Sequence, residues 1–197
     1  RALSAQINPH FLYNTLDTIV WMAEFNDSRR VVEVTKSLAQ YFRLALNQGH
    51  EQISLRDEID HVRQYLFIQK QRYGDKLQYE IEEDGSLADY KLPKLVLQPL
   101  VENAIYHGIK EIDRHGMIRV TAAAEEGQLI LSIYDNGRGF DVNASMDATL
   151  LRLGGVGLKN VDQRLRLQFG DDYHMEIQSE PDKFTQISLY LPLDSDD

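Results

Sequence analysis

The sequence contains no cysteine and no long apolar run, and both absences limit what the chain can be. Without cysteine it forms no disulfide, no thiolate nucleophile and no zinc-finger scaffold, and this composition suits a reducing compartment. No stretch approaches the roughly 18 consecutive apolar residues that a membrane-spanning helix needs. A secretory leader and an initiating methionine are also missing, so we expect the chain to be part of a longer protein.

Clusters of positive charge are scarce as well. The net charge is −10. Residues 1–50 carry five Lys/Arg and four Asp/Glu, a sum of +1, so the remainder carries −11. Nucleic-acid binding depends on clustered cations, and this balance therefore argues against a nucleic-acid partner. Binding of one ATP needs only local donors and a metal.

The first 50 residues have the periodicity of two amphipathic helices. Apolar residues recur at three- and four-residue steps from Leu3 to Val20 and again from Val31 to Ala45. A polar break separates the two runs, and Ser28 is the expected cap of the second helix. An antiparallel hairpin of this kind cannot bury both apolar faces alone. We therefore predict that two copies pair into a dimeric four-helix bundle.

Residues 51–197 alternate between helix and strand patterns. Ser54 opens a helix with Asp57 in the capping-box position, and this helix ends near Tyr73. The pattern then predicts strands at 77–82, 117–124, 128–135, 174–179 and 185–191, and helices at 94–107 and 158–169. The prediction is an α+β protein: a helical hairpin over 1–50, then an α/β sandwich over 51–197 with a mixed sheet and helices on one face.

The first segment with chemical potential surrounds His10, which directly follows Pro9. A proline inside a helix removes a backbone donor and kinks the helix, which would expose the imidazole at a bend. Alternatively, Asn8 is a helix cap and Pro9 is the first helical residue. A lone histidine on a helix is usually an ordinary surface or core residue, so this segment alone defines no function.

The second segment is the apolar helix that carries Glu102 and Asn103 in one turn. An amide oxygen is a suitable hard ligand for Mg²⁺, which keeps most of its waters and bridges nucleotide phosphates. The alternative is that Asn103 is a solvated helix residue and Gly108 is an ordinary C-cap.

The third segment begins with Asp135, which ends an apolar strand and could accept a hydrogen bond from an exocyclic amine such as that of adenine. Glycines that follow let the backbone approach a ligand closely. Gly157 precedes a helix whose first amides attract phosphate. Residues 140–153 could form a mobile cover over a nucleotide. Asp-Asn-Gly alone is more often a tight turn.

In this order and at these spacings, the segments resemble those of LytS/YesM-type sensor histidine kinases. The run Asn8-Pro9-His10-Phe11-Leu12-Tyr13-Asn14 resembles the phosphoacceptor box of that family. The other two segments resemble the N-box and the glycine boxes of the GHKL ATP-binding fold. The resemblance extends over nearly the whole chain.

The resemblance implies a function for each matching position. His10 would be phosphorylated from ATP, and Asn14, one turn later, could orient a water for the reverse phosphatase reaction. Asn103 would bind Mg²⁺, and Asp135 would receive the adenine amine. The other implied nucleotide contacts are His107, Gly137, Gly139, Gly155, Gly157, Leu158, Lys159, Asn160 and Thr185.

Three positions depart from the family pattern. Phe11 occupies the place of an acid that can accept the proton of the histidine, so Glu102 and His107 are the candidate bases. Pro99 occupies the place of the water-activating glutamate of ATPases such as the gyrase B subunit, which favours transfer to histidine over hydrolysis. Phe184 stands where a small residue is usual, which predicts a looser or reshaped part of the site.

The resemblance also implies partners and a location. The chain would form a homodimer and pass its phosphoryl group to an aspartate of a response regulator. A membrane-spanning input region would precede Arg1 and place this portion at the cytoplasmic membrane face. Two other hypotheses remain: a GHKL ATPase or protein-serine kinase whose hairpin only dimerises, and a degenerate, non-catalytic dimeric scaffold.

Overall fold

The computed structural model describes residues 8–46, 49–142, 148–149, 153 and 156–193. Its helices are α1 (Pro9–Glu24), α2 (Ser28–Ala45), α3 (Leu55–Tyr73), α4 (Leu97–Asn103), which continues as a π-helical turn (Ala104–Ile109), and α5 (Val156–Phe169). Its strands are β1 (Gln52–Ser54), β2 (Leu77–Glu83), β3 (Lys91–Pro93), β4 (Gly116–Glu125), β5 (Gln128–Asp135), β6 (His174–Glu180) and β7 (Phe184–Pro192). No helix in this described part of the chain is long and apolar enough to cross a membrane.

The helical hairpin begins at Asn8, whose side chain accepts hydrogen bonds from the backbone N–H groups of His10 and Phe11 at 3.0 and 3.4 Å. Pro9 is therefore the first helical residue, a position where its missing N–H has no helical partner to lose. The kink considered at Pro9 is wrong, because the proline starts α1 and does not interrupt it. His10 lies in the first turn and is exposed.

The cap of the second helix differs from the prediction. Asp27 is the N-cap of α2, and its carboxylate accepts from the N–H of Arg30 at 3.2 Å. Ser28 is the first residue of the helix and not its cap. A carboxylate at this position is also stabilised by the positive end of the helix dipole. Ser54 caps α3 as predicted, and its hydroxyl accepts from the N–H of Asp57 at 3.2 Å.

The hairpin packs against α3 through an aromatic cluster. Phe11 of α1 lies between Tyr41 of α2 and Tyr65 of α3, with ring centroids 4.9 Å apart in both pairs. All three rings are almost completely buried. One hydrophobic core thus extends from the hairpin into the sandwich, and the division of the chain near residue 50 stays a prediction.

The sheet is five-stranded, in the order β2-β4-β5-β7-β6. β2 and β4 are parallel, and the other neighbours are antiparallel. Alternate residues of the central strands are buried in the core that α3, α4 and α5 share, as a half-buried strand requires. On the other face Arg119 pairs with Glu80 at 3.0 Å and lies over the ring of Tyr134. The predicted mixed-sheet α+β class is confirmed.

A second, two-stranded ladder was not predicted. β1 and β3 pair antiparallel, with Ile53 opposite Leu92. Each strand has only three residues, too few for alternation to show in the sequence. This ladder ties the start of α3 to the loop that leads into α4.

Candidate nucleotide-binding site

A cleft of about 460 Å³ opens where β5 and β7 meet the π-helical turn. Its lining residues are Asn103, His107, Gly108, Asp135, Arg138, Gly139, Phe140, Asp141, Leu153, Pro181, Asp182 and Thr185. Five predicted contacts, from three separate parts of the sequence, therefore come together here: Asn103, His107, Asp135, Gly139 and Thr185.

Asp135 lies at the inner end of the cleft. It is the last residue of β5, pairs in register with Thr185 of β7 and is 3% exposed. Its Oδ1 accepts a hydrogen bond from the N–H of Gly137 at 2.9 Å. Burial raises the pKa of Asp135 to about 7, and the Gly137 amide partly opposes this. A poorly hydrated carboxylate of this kind is suited to accept hydrogen bonds from a ligand amine.

Gly108 lets the π-helical turn approach this carboxylate. A Cβ added at Gly108 would lie 2.8 Å from Cγ of Asp135, closer than real atoms allow. The carbonyl of Gly108 also accepts from the N–H of Arg138 at 3.1 Å. The C-cap role considered for Gly108 is wrong, because helical structure continues through Ile109. This glycine is needed for close packing, and π-helical turns are frequent at functional sites.

Asn103 faces the cleft from the end of α4. It is 7% exposed, and its Oδ1 has no hydrogen-bond partner within the described ranges. A buried acceptor without a donor is costly, and such atoms call for an explanation. A hard cation would satisfy this oxygen. Among the described residues no group of three or more His, Cys, Asp or Glu side chains could hold a metal.

A second cleft of about 290 Å³ adjoins the first and shares Asn103 and His107 with it. Leu153 also lines both clefts, and the remaining lining residues are Pro99, Glu102, Tyr106, Gly157 and Leu158. Burial raises the pKa of Glu102, opposed by the hydrogen bond that Gln98 donates at 3.1 Å. The first turn of α5 thus faces the carboxyl end of α4.

The remaining predicted contacts are placed differently. Lys159 and Asn160 are exposed on α5 and line neither cleft, so their role stays a prediction. Gly155 and most of the predicted cover (residues 143–147 and 150–152) lie outside the described residues. Gly137 packs directly on the backbone of Gly108, beneath the cleft.

Two residues that hold the glycine loop were missed in the sequence. The Asn136 side chain accepts from the N–H of Met117 at 2.7 Å and donates to the carbonyl of His115 at 3.1 Å. Arg114 donates to the carbonyls of Gly137 and Asp182, both at 2.9 Å. The loop after Asp135 is therefore fixed to β4 and to the β6–β7 turn. An Asx residue after a strand was the available signal for Asn136.

Phe184 does not reshape the cleft, contrary to the expectation. Side chains alternate along β7, so Thr185 faces the cleft while Phe184 stacks on Tyr134, with ring centroids 6.0 Å apart. The Thr185 hydroxyl is hydrogen-bonded to Ser179 at 2.9 Å.

His10 and Asn14 line neither cleft, yet the end of α1 that carries them lies close by. The side chain of Asn8 lies beside the hydroxyl of Tyr106, a residue that lines the second cleft. Asn14 is half-buried and faces Gln69 and Arg72 of α3.

The comparisons with known proteins agree with this geometry. Residues 88–195 match the family model of histidine kinase-, DNA gyrase B- and HSP90-like ATPases, which is an ATP-binding fold. Residues 1–77 match the histidine kinase model. The chain belongs to the sensor histidine kinase family of the LytS/YesM type.

Individual relatives match over nearly the whole chain. Sensor histidine kinase YesM of Bacillus subtilis is 36% identical, and sensor histidine kinase BtsS of Escherichia coli is 39% identical. Each match covers 98% of this chain and 33% of the relative, so the chain spans a third of their length. The histidine kinase domain of the Erythrobacter litoralis blue-light-activated kinase has the same fold, with a TM-score of 0.55, 16% identity, and coverage of 98% of this chain and 92% of that one.

Proposed function

We propose that the chain is the catalytic portion of a two-component sensor kinase, which uses ATP and Mg²⁺ to phosphorylate His10. The observation that carries the proposal is the pairing of two buried acceptors in one cleft. One is the Asp135 carboxylate, and the other is Asn103 Oδ1, which lacks a partner in the described part of the chain. An aminopurine and a phosphate-bound cation satisfy these two acceptors together.

We infer the orientation of ATP from the order of the two clefts. The adenine amine donates to Asp135, beside Thr185 and over the close contact at Gly108. The phosphates extend past Asn103 toward the second cleft, where the first turn of α5 offers amide N–H groups near Gly157. Asn103 would hold Mg²⁺, which offsets the charge that spreads over the phosphoryl oxygens during transfer.

His10 then acts as the nucleophile. An unprotonated ring nitrogen attacks the γ-phosphorus in line, a nitrogen–phosphorus bond forms, the bond to the β,γ-bridging oxygen breaks, and ADP leaves. The cationic ring releases the proton of its other nitrogen to a base. Phe11 offers no base and is buried in the aromatic cluster. Glu102, whose pKa is raised by burial, is the better-suited acceptor, with His107 as the alternative.

The exposed face of the hairpin supports a homodimer. Tyr13, Leu16 and Val20 lie on one side of α1, and 65%, 44% and 56% of their surfaces are exposed. A contiguous apolar face of this kind is typical of a surface that pairs. We infer that a second copy covers it in a four-helix bundle built from residues 1–50, beside an ATP-binding unit formed by residues 51–197.

The decisive experiment is incubation with γ-labelled ATP and Mg²⁺. An acid-labile, base-stable label is expected on the wild type and on the exposed-histidine control His174→Gln, and none on His10→Gln. Asn103→Asp and Asp135→Ala should abolish labelling while the hairpin stays helical. Steady phosphate release without protein label would instead indicate an ATPase, and the absence of both would indicate a scaffold.

Downstream and membrane steps follow from the same family. We propose that the phosphoryl group passes from His10 to an aspartate of a response-regulator receiver domain, and that Asn14 assists the reverse dephosphorylation. In the full protein this portion would lie at the cytoplasmic membrane face, attached through segments before Arg1. Loss of label from the phosphorylated chain on mixing with candidate receiver domains tests the transfer.

A further inference from the structure

The start of α4 is capped from a distant helix. Its N-cap residue, Val96, makes no side-chain capping bond. The carboxylate of Glu58, in the first turn of α3, instead accepts from the N–H groups of Leu95, Val96 and Leu97 at 2.7, 3.0 and 2.9 Å. Glu58 is 1% exposed. Three amides at the entrance to α4 are therefore held by a buried side chain about forty residues earlier in the chain.

Arg164 holds the carbonyl side of the same turn. It lies on α5, is partly buried, and donates to the carbonyls of Lys94 and Leu95 at 2.5 and 2.7 Å. Leu95 has a φ of +60°, a left-handed conformation that a leucine adopts only when its surroundings impose it. Glu58 thus holds the amide groups of the turn, and Arg164 holds its carbonyl groups. We call this arrangement the Glu58–Arg164 clamp.

The clamp joins the two walls of the second cleft. Asn103 lies in α4, which begins at the clamped turn. Gly157 and Leu158 lie at the start of α5, about two turns before Arg164. Neither charged side chain lines a cleft itself. The relative position of Asn103 and the α5 amides is therefore set at the turn that both side chains hold.

Stability alone does not account for this arrangement. Burying the Glu58 carboxylate and holding Leu95 at a φ of +60° both cost free energy. We propose that Glu58 and Arg164 are positioning residues of the nucleotide site, which fix α4 against α5 so that Asn103 and the first turn of α5 meet the same phosphates. This inference rests on the proposed function.

Binding of ADP in the presence of Mg²⁺ to folded protein, measured by titration calorimetry, tests the proposal. Glu58→Gln and Arg164→Met should each weaken binding at least about tenfold. The double variant should lose less than the product of the two, because both side chains hold the same turn. Arg164→Lys keeps the charge without the two-pronged geometry and should bind between wild type and Arg164→Met. In the labelling assay, KM for ATP should rise more than kcat falls.

Arg166→Met is the matched control. Arg166 lies on the same helix, is half-exposed, pairs with Asp162 at 3.0 Å and lines neither cleft, so its loss should leave ADP affinity unchanged. The clamp proposal is overturned if Glu58→Gln and Arg164→Met melt earlier yet bind ADP as the wild type does. Should Arg164→Met not fold, Arg164→Lys decides by the same criterion. If the wild type itself binds no ADP, the proposed function fails and the clamp proposal fails with it.

Discussion

A buried histidine allows a quantitative prediction of how stability depends on pH. His61 of α3 is 2% exposed, and its ring stacks on Tyr41 with centroids 4.4 Å apart. Neither ring nitrogen has a hydrogen-bond partner within the described ranges. Burial lowers the pKa of His61 from 6.5 to about 4, assisted by Lys94 and opposed by Asp60.

The direction of the pH effect on stability follows from comparing His61 in the folded and the unfolded protein. Below pH 6.5 the unfolded chain takes up a proton on His61, while the folded protein resists it until about pH 4. Stability is therefore lost as the pH falls from 6.5 toward 4. With these two pKa values, His61 alone removes about 1.4 kcal/mol at pH 5.5 and about 0.1 kcal/mol at pH 7.5. The pH stays above the sequence pI of about 5.0, where a vanishing net charge promotes association.

Urea unfolding of the wild type and of His61→Phe at pH 7.5 and pH 5.5 measures this difference. The phenyl ring keeps the stacking on Tyr41 and cannot be protonated, so the variant should lose about 1 kcal/mol less than the wild type over this interval. His174→Phe is the control, because His174 also stacks on a tyrosine (Tyr190, 4.2 Å) but is half-exposed. Equal losses in wild type and His61→Phe, at unchanged m values, would refute the reasoning.

Three further predictions concern the clefts and the hairpin. Gly108→Ala should weaken binding of ADP with Mg²⁺ at least about tenfold by calorimetry, because the new Cβ collides with Asp135, whereas Gly85→Ala, with nothing within 4 Å, should not. The adenine amine requires ionised Asp135, and the pKa of Asp135 is about 7. The affinity for ADP should therefore fall about tenfold from pH 8 to pH 6, and this pH-dependent loss should be absent in Asp135→Asn. Val20→Glu should convert the dimer to monomers in sedimentation experiments, since the exposed apolar face would carry a charge; a dimer that persists would contradict the proposed bundle.

Local sequence patterns predicted the secondary structure correctly where a segment has a clear hydrophobic periodicity or a nearby capping partner. The strand at 128–135 was predicted to the residue, because its apolar residues end at a polar, glycine-containing loop. Ser54 was recognised as a cap because its partner, Asp57, lies three residues away. Asp135 and Asn103 were assigned to one site through a family resemblance. No pattern in the sequence near either residue predicts that they line the same cleft.

Residues whose partners are distant in sequence were not visible in this way. Glu58 reads as an ordinary acidic residue in the first turn of a helix, a position where acids are common on the surface. Its three hydrogen bonds reach 37 to 39 residues along the chain. Arg114 likewise supports the glycine loop over a separation of 23 residues and the β6–β7 turn over 68. Nothing in the sequence around either residue signals these distant partners.

The two wrong expectations about the cleft, at Gly108 and at Phe184, differ in whether sequence could have corrected them. For Phe184, the alternation of side chains along a strand would have corrected the expectation. Once Thr185 is placed beside Asp135, Phe184 must face the opposite side of the sheet. The role of Gly108 could not be predicted from the sequence, because a glycine at the end of a helical pattern is usually a C-cap. Glycine is required here because the carboxylate of Asp135, 27 residues away, occupies the space that a Cβ would need. A glycine in such a position is explained by what lies across from it, and only the fold supplies that neighbour.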